Sequence, residues 1–379
     1  MSIDGKAAPK PHFTAAGQAW SRKNCLIIAE IGTGHGGDRQ KAFDLIDAAG
    51  ESGADCVKFQ LVYADEIIHP ETGIVPLPGG DIRLYDSFKA LELPLDFYRS
   101  LKEHAEKKGL VFLCTPFGAR SAAELASLTP AVMKVASPEL NHLPLLRQVA
   151  DTGIPTLLSS GVSTLSDIEA ALGCFSSSVA ILHCVTHYPA PDEEYNLRIL
   201  SSLSSVFGLP VGVSDHSLDP RLVPALSLAC GGSVVEKHFC LSRVDGGLDD
   251  LIALTPEDFQ AMATAVRSAQ ALDDREIIKW MGSEYGEERV RTVLGDGVKR
   301  LAKSEAANYG RTNRSLHALR GISAGEAIGP DMVAVLRTEK VLRPGIHPRF
   351  FELACTRVAA RDIQNGQGIV WEDLGGLQG

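Results

Sequence analysis

From Cys25 onward the chain repeats one unit, a short apolar, β-branched run followed by a longer amphipathic stretch. The runs are CLIIAEI (25–31), ADCVKFQ (54–60), LVFLCT (110–115), AVMKVAS (131–137), PTLLSSG (155–161), VAILHC (179–184), PVGVSDH (210–216) and GSVVEKHF (232–239). Their apolar residues follow one another without alternation, as in strands covered on both faces, which is the pattern of a parallel sheet flanked by helices. Between them, helical spacing covers 38–52, 95–108, 119–128, 143–152, 164–175, 196–207, 221–229 and 255–270. Gly53, Gly109, Gly153 and Gly208 stand at helix ends, where a left-handed residue closes the last turn. Eight strand–helix units in series predict a closed (β/α)8 TIM barrel. An open doubly wound sheet is the alternative. Residues 61–92 carry Pro and Gly and read as a loop over the end of the second strand.

After Gln270 the rhythm stops. The expected organisation is an N-terminal extension over 1–24, a catalytic barrel over 25–270, a linker with helix over 271–312, and a small, turn-rich, mostly β domain over 313–379. The last shows weak internal similarity, LRGISAGEAIGPDMV beside AARDIQNGQGIVWEDL. A length of 379 residues suits about two domains. The net charge of −10 argues against nucleic acid as a partner. No apolar run approaches the ~20 residues of a membrane helix, and the first twenty residues hold no apolar signal core. No membrane partner and a cytoplasmic location are expected. The eight cysteines are scattered and form no CxxC pair, so buried free thiols are expected rather than a zinc knuckle or disulfide framework.

Polar residues gather at the C-terminal ends of the predicted strands, where barrels build their active sites. They are Glu30, Lys58, Gln60, Thr115, Lys134, Ser137, Glu139, Ser159, Ser160, His183, Ser214, Asp215, His216, Glu236, Lys237 and His238. His216 and His238 end neighbouring strands and can share a divalent metal. With no thiolate beside them, a Mn²⁺-type site with open positions is more natural than structural zinc. Lys58 and Lys134 with nearby hydroxyls suit a small phosphorylated anion, although either lysine could form a Schiff base. Gly32–Gly37 satisfies G-x-G-x-x-G, with Asp55 downstream. A dinucleotide reading needs an open sheet, however, and eight barrel-like units oppose it.

Together IIAEIGTGHGGD, ADCVKFQ, KVASPELNHLPLL, LLSSGVSTLSDI, LHCVTHYPAP, GLPVGVSDHS and VVEKHF resemble the sialic acid synthase family, including its spore-coat-polysaccharide-type relatives. The segment RSLHALRGISAGE…RPG is similar to that family's antifreeze-like SAF domain. The resemblance spans about residues 24–379. It implies condensation of phosphoenolpyruvate with an open-chain amino-hexose such as N-acetylmannosamine, giving a nonulosonic acid and phosphate. It implies Mn²⁺ or Mg²⁺ on His216 and His238. Phosphoenolpyruvate would meet Lys58, Thr115, Lys134, Ser137, Ser159 and Ser214, and the sugar Gln60, Glu139, Tyr188 and Asp249. Arg343 would reach in from the SAF domain of a partner subunit, in a domain-swapped homodimer. Glu30 or Glu236 would take the proton of water, and Lys58 would balance phosphate charge. The sequence departs from the family pattern at Gly34, at Val185 and Thr186, at Gly247-Leu248-Asp249, and in the shortened RPGIHP loop. These departures leave the acceptor sugar open. A Schiff-base aldolase and a non-catalytic sugar-binding relative are the other readings.

Overall fold

Eight parallel strands close on themselves in chain order. They are β1 (Leu26–Gly32), β2 (Cys56–Leu61), β3 (Val111–Pro116), β4 (Val132–Val135), β5 (Thr156–Ser159), β6 (Val179–Cys184), β7 (Val211–Asp215) and β8 (Val234–His238). Each coincides with one of the eight apolar runs, so the chain is a (β/α)8 barrel and the open-sheet alternative is excluded. The computed structural model describes residues 11–77, 80–176, 178–244 and 247–378.

Strand side chains alternate between two faces, and that alternation separates the barrel's two jobs. Outward residues such as Ile27, Ala29, Val57, Phe59 and Val213 join the large core beneath the helices. Inward residues at the strand starts (Leu26, Ile28, Cys56, Leu113, Val132, Leu157, Ala180, Leu182 and Val234) form a second, smaller cluster. Gly212 lies on the same inner face, where a Cβ would sit 2.3 Å from the Val234 carbonyl oxygen. Two residues further along seven of the eight strands the inner face turns polar: Glu30, Lys58, Thr115, Lys134, Ser159, Ser214 and Glu236. Apolar floor and polar mouth therefore follow from one register.

A feature missed in the sequence seals the floor. Phe13–Ala15 and Gln18–Trp20 pair as an antiparallel hairpin. Phe13, Ala15 and Trp20 pack against the inner apolar cluster, and burying each aromatic is worth about 2 kcal/mol. The insertion at 61–92 also differs from the expected loop. It contains a hairpin, Ile74–Leu77 with Gly80–Arg83, and a helix, Leu84–Ala90. Val62, Ile67, Ile68, Val75 and Leu84 give it an apolar cluster of its own, shared with Phe117, enough to fold against the barrel rim.

Beyond the barrel, helices Asp274–Tyr285 and Glu287–Leu294 precede a segment, 295–312, that bonds to the loops after β5 and β6. The C-terminal domain pairs Arg314–Ala318 with Val333–Arg337 and Arg357–Ala359 with Leu374–Leu377. Its halves mirror each other through reciprocal bonds. Ile322 and Ile363 exchange both backbone bonds, the Gly325 N–H meets the Ala359 carbonyl, and the Gly366 N–H meets the Ala318 carbonyl. The weak internal similarity is thus a structural duplication. No helix among the described residues is long and apolar enough to cross a membrane.

Candidate active site

At the mouth Lys58 occupies the centre. Its Nζ lies 3.0 Å from Glu236 Oε1 and 3.3 Å from Glu30 Oε2. Ser214 Oγ donates to the same Glu236 oxygen at 2.9 Å, and Gln60 Nε2 donates to Glu30 Oε1 at 2.7 Å. Lys134 Nζ donates to Ser159 Oγ at 2.7 Å and to the Val135 carbonyl at 3.1 Å, and it stands 3.9 Å from Glu236 Oε1. Ser137 Oγ accepts from the Gly161 N–H at 3.0 Å. Thr115 Oγ1 and Glu236 Oε2 are buried without a hydrogen-bond partner among the described residues.

The two glutamates are driven apart in acidity. Burial opposes ionisation of both. At Glu236 the charges of Lys134 and Lys58 overcome it and hold the carboxyl down at about 2. At Glu30 burial wins over Lys58, helped by repulsion from Glu236, and raises the group to about 7. Burial lowers Lys134 to about 8. Burial also acts against the Lys58 charge, but Glu236 and Glu30 outweigh it and raise that lysine above its ordinary value. Near neutrality one carboxylate is thus fixed and the other can exchange a proton.

The second group of residues lies across the mouth. The His216 and His238 rings are 5.4 Å apart, and Tyr188 stacks on His216 at 4.3 Å. His216 Nδ1 lies 3.0 Å from the Val185 carbonyl oxygen. Burial opposes the charge on this ring, but the neighbouring Cys184 outweighs it and raises His216 to about 9, so a metal on Nε2 would displace a proton while Nδ1 keeps the Val185 bond. Burial lowers His238 to about 4, so its ring is neutral at pH 7. Asp249 Oδ2 is 3.8 Å from His238 Nδ1. Among the described residues no set of three or more His, Cys, Asp or Glu side chains could hold a metal. The pair therefore fits an ion that takes two imidazoles and completes its shell with substrate or water oxygens, and it does not fit closed structural zinc.

Four residues named from the sequence stand elsewhere. Asp215 and Lys237 point away from the mouth and pair with each other at 2.6 Å, because they alternate with Ser214, His216, Glu236 and His238. His183 Nε2 lies 2.7 Å from the Tyr195 carbonyl oxygen, and its ring is one strand residue out of phase with the inner face. Asp55 accepts from the Ile27 N–H and pairs with Arg267, a structural role that leaves the dinucleotide reading without its acid.

Arg343 is the residue the resemblance assigned to a partner's site. Within the chain it donates to Asp373 and to the Gly368 carbonyl, both in its own domain, because its loop folds back on the second half of the duplication. The arginines that meet the barrel are Arg314 and Arg337. Both bind Glu139 Oε1, at 2.9 and 2.7 Å. Arg314 also donates to the carbonyls of Glu66, Ile67 and Phe117. Glu139 is thus the seat on which the C-terminal domain docks. An arginine inside a β run gives no sign in sequence of a carboxylate far upstream.

This fold and site define a class: a (β/α)8-barrel protein with a buried lysine–carboxylate cluster and a histidine pair at its mouth, capped by a duplicated β domain. The chain belongs to the NeuB family, which it matches over residues 45–277, and it carries a SAF domain over residues 313–375. It is 35% identical to the spore coat polysaccharide biosynthesis protein SpsE of Bacillus subtilis, over 92% of this chain and 93% of that protein. It is 34% identical to the N,N'-diacetyllegionaminic acid synthase of Campylobacter jejuni, over 80% of this chain and 87% of that one. The crystal structure of Bacillus subtilis SpsE matches with a TM-score of 0.81 at 32% identity, covering 97% of this chain and all of the other. The resemblance read from the sequence motifs is upheld.

Proposed function

We propose that the protein is a nonulosonic acid synthase that condenses phosphoenolpyruvate with an open-chain amino-hexose, N-acetylmannosamine or a related modified hexose, and releases phosphate. The observation that carries this is the division of labour between the two glutamates, set beside two buried lysines. Lys58 and Lys134, with Thr115, Ser137, Ser159 and Ser214, offer cations and hydroxyls to a phosphorylated carboxylate. Thr115 Oγ1, buried and without a hydrogen-bond partner among the described residues, is a donor suited to that anion. Gln60, Glu139, Tyr188 and Asp249 line the sugar side. His216 and His238 would hold Mn²⁺ or Mg²⁺, which supplies Lewis acidity to an aldehyde oxygen.

In this reading the enol carbon of phosphoenolpyruvate bonds to the aldehyde carbon of the sugar, the C=O π pair moves to oxygen, and that oxygen takes up a proton from solvent to become a hydroxyl. Water then adds to the former enol-ether carbon and loses its proton to Glu30. Phosphate leaves with its C–O bond broken, while Lys58 and Lys134 balance its charge. Glu30, poised near 7, suits the proton acceptor. Glu236, held at about 2, stays ionised and fixes the lysines. The similarity to a legionaminic acid synthase supports an acetamido-sugar acceptor. A cytoplasmic location, where phosphoenolpyruvate is made, belongs to the same proposal. So does a homodimer with exchanged SAF domains, since a docking contact closed within one chain can be traded between two.

Sugar-dependent phosphate release from phosphoenolpyruvate, across a panel of amino-hexoses with Mn²⁺, is the direct test. No release with any sugar would overturn the proposal. Lys134, lowered to about 8, favours one second reading, an imine-forming aldolase. Borohydride trapping of pyruvate on Lys134 would establish it.

A further inference from the structure

The loop after β5 holds constrained backbone beside the lysines. Val162 has φ +42°, in the left-handed region that a β-branched residue enters only when its surroundings force it. At Gly161 a Cβ would lie 2.0 Å from Thr186 Oγ1 and 2.9 Å from Ser137 Oγ, so no side chain fits. This conformation delivers the Gly161 N–H to Ser137 Oγ. It thereby ties the β5 loop to the residue that follows β4.

What holds Val162 lies outside the barrel's own strands and helices. Its N–H donates to Glu305 Oε2 at 3.0 Å, and its carbonyl accepts from Asn313 Nδ2 at 2.9 Å. The same Glu305 oxygen takes the N–H of Thr186, after β6, at 2.8 Å. Lys299 Nζ donates to the Ser160 carbonyl at 3.1 Å. Glu305 and Asn313 are buried, and both are set locally: Glu305 Oε1 accepts from the Ala302 N–H and Asn313 Oδ1 from the Gly310 N–H. A buried carboxylate is costly unless its oxygens are bonded. Here one of its oxygens spans two loops that flank Ser137 and Ser159.

We propose that Glu305 and Asn313 are positioning residues for the anion side of the mouth. They hold the loops after β5 and β6 in the conformation that aligns Ser137, Ser159 and Thr186. Docking of the segment before the SAF domain thereby completes the pocket. Lifting that segment frees Val162 to leave positive φ, and Gly161 then lets go of Ser137. The clamp itself is independent of the ligand; only its effect on phosphoenolpyruvate rests on the proposed function.

The test is hydrogen–deuterium exchange of the full-length chain, read by mass spectrometry, with calorimetric binding of phosphoenolpyruvate alongside. In Glu305→Ala and in Asn313→Ala, exchange is expected to rise at least about tenfold in peptides covering the two loops, and only there. Affinity for phosphoenolpyruvate should fall by about the same factor. Adding Val162→Gly to Glu305→Ala should restore most of that affinity, because glycine holds φ > 0 without constraint. Loop exchange within about twofold of wild type in folded Glu305→Ala would overturn the clamp. So would a rise spread evenly through the SAF domain, or an absence of rescue by glycine. Glu305→Gln, which keeps the side chain's shape, serves for the same comparison if Glu305→Ala does not fold. Should the wild type bind no phosphoenolpyruvate, the functional reading fails, while the exchange arm still decides the clamp.

Discussion

Lys58 and Lys134, on one side of the mouth, are 4% and 1% exposed, whereas Tyr188, on the other, is 43% exposed. The lysine side is closed, and its side chains bond to one another through Glu236. The histidine side is open. The Asp249 carboxylate lies 3.8 Å from His238 Nδ1, and Leu248 and Leu251 beside it face solvent. A substitution on the lysine side disturbs several partners at once, whereas one at Asp249 disturbs a single ion-pair contact among the described residues. On the proposed function, phosphoenolpyruvate chemistry falls to the lysine side and choice of sugar to the residues around Asp249. The departures of this sequence from the family pattern at 247–249 fall on the open side.

The strongest challenge to this division is His216→Ala or His238→Ala. Each should lower sugar-dependent phosphate release on the order of 10³-fold, with Mn²⁺ binding lost by calorimetry and circular dichroism unchanged. Near-normal turnover in metal-depleted buffer would remove the metal from the open half.

A pH profile tests the closed half. Activity should rise as Glu30 ionises through about 7 and fall as Lys134 loses its proton through about 8. Glu30→Gln should erase the acidic limb and cost about 10²-fold in kcat. Stability carries the matching sign. The folded chain holds the Glu30 proton more tightly than the unfolded chain does. That contribution is therefore full below the ordinary carboxylate range and is lost as pH rises through about 7. A Glu30→Gln profile identical to wild type would reassign the base.

On the open side, Asp249→Asn should raise KM for the sugar about tenfold and leave KM for phosphoenolpyruvate unchanged, a split that initial-rate kinetics resolves. Equal effects on both would show that the halves are not independent. The smallest effect is expected of Arg343→Ala, within about twofold in every kinetic constant, because its guanidinium serves Asp373 in its own domain. A large loss of turnover would restore Arg343 to the site.

Much of this was legible in the sequence because it is local. Eight uninterrupted apolar runs announced a double-covered parallel barrel, and seven of them carried near their end a polar residue that alternation brings to the mouth. His216 and His238 could be paired because neighbouring strands end together. Other features depended on contacts between distant segments. Phe13 and Trp20 lie in a stretch without periodicity, and only the closed barrel offers them a floor to pack on. The ion pairs of Glu139 with Arg314 and Arg337 join segments far apart in the chain, and no local pattern announced them. Glu305 lies in a segment with no strand signal, and its two amide partners come from two different loops.

The hairpin of Phe13 and Trp20 makes the barrel a well with a single entrance. On the proposed function, both substrates would use the one open end. The one seated against Lys58 and Lys134 would load first, and the outer one would close the way behind it. An order of binding would then follow from the closed end of the barrel, far from any residue that touches the reacting atoms.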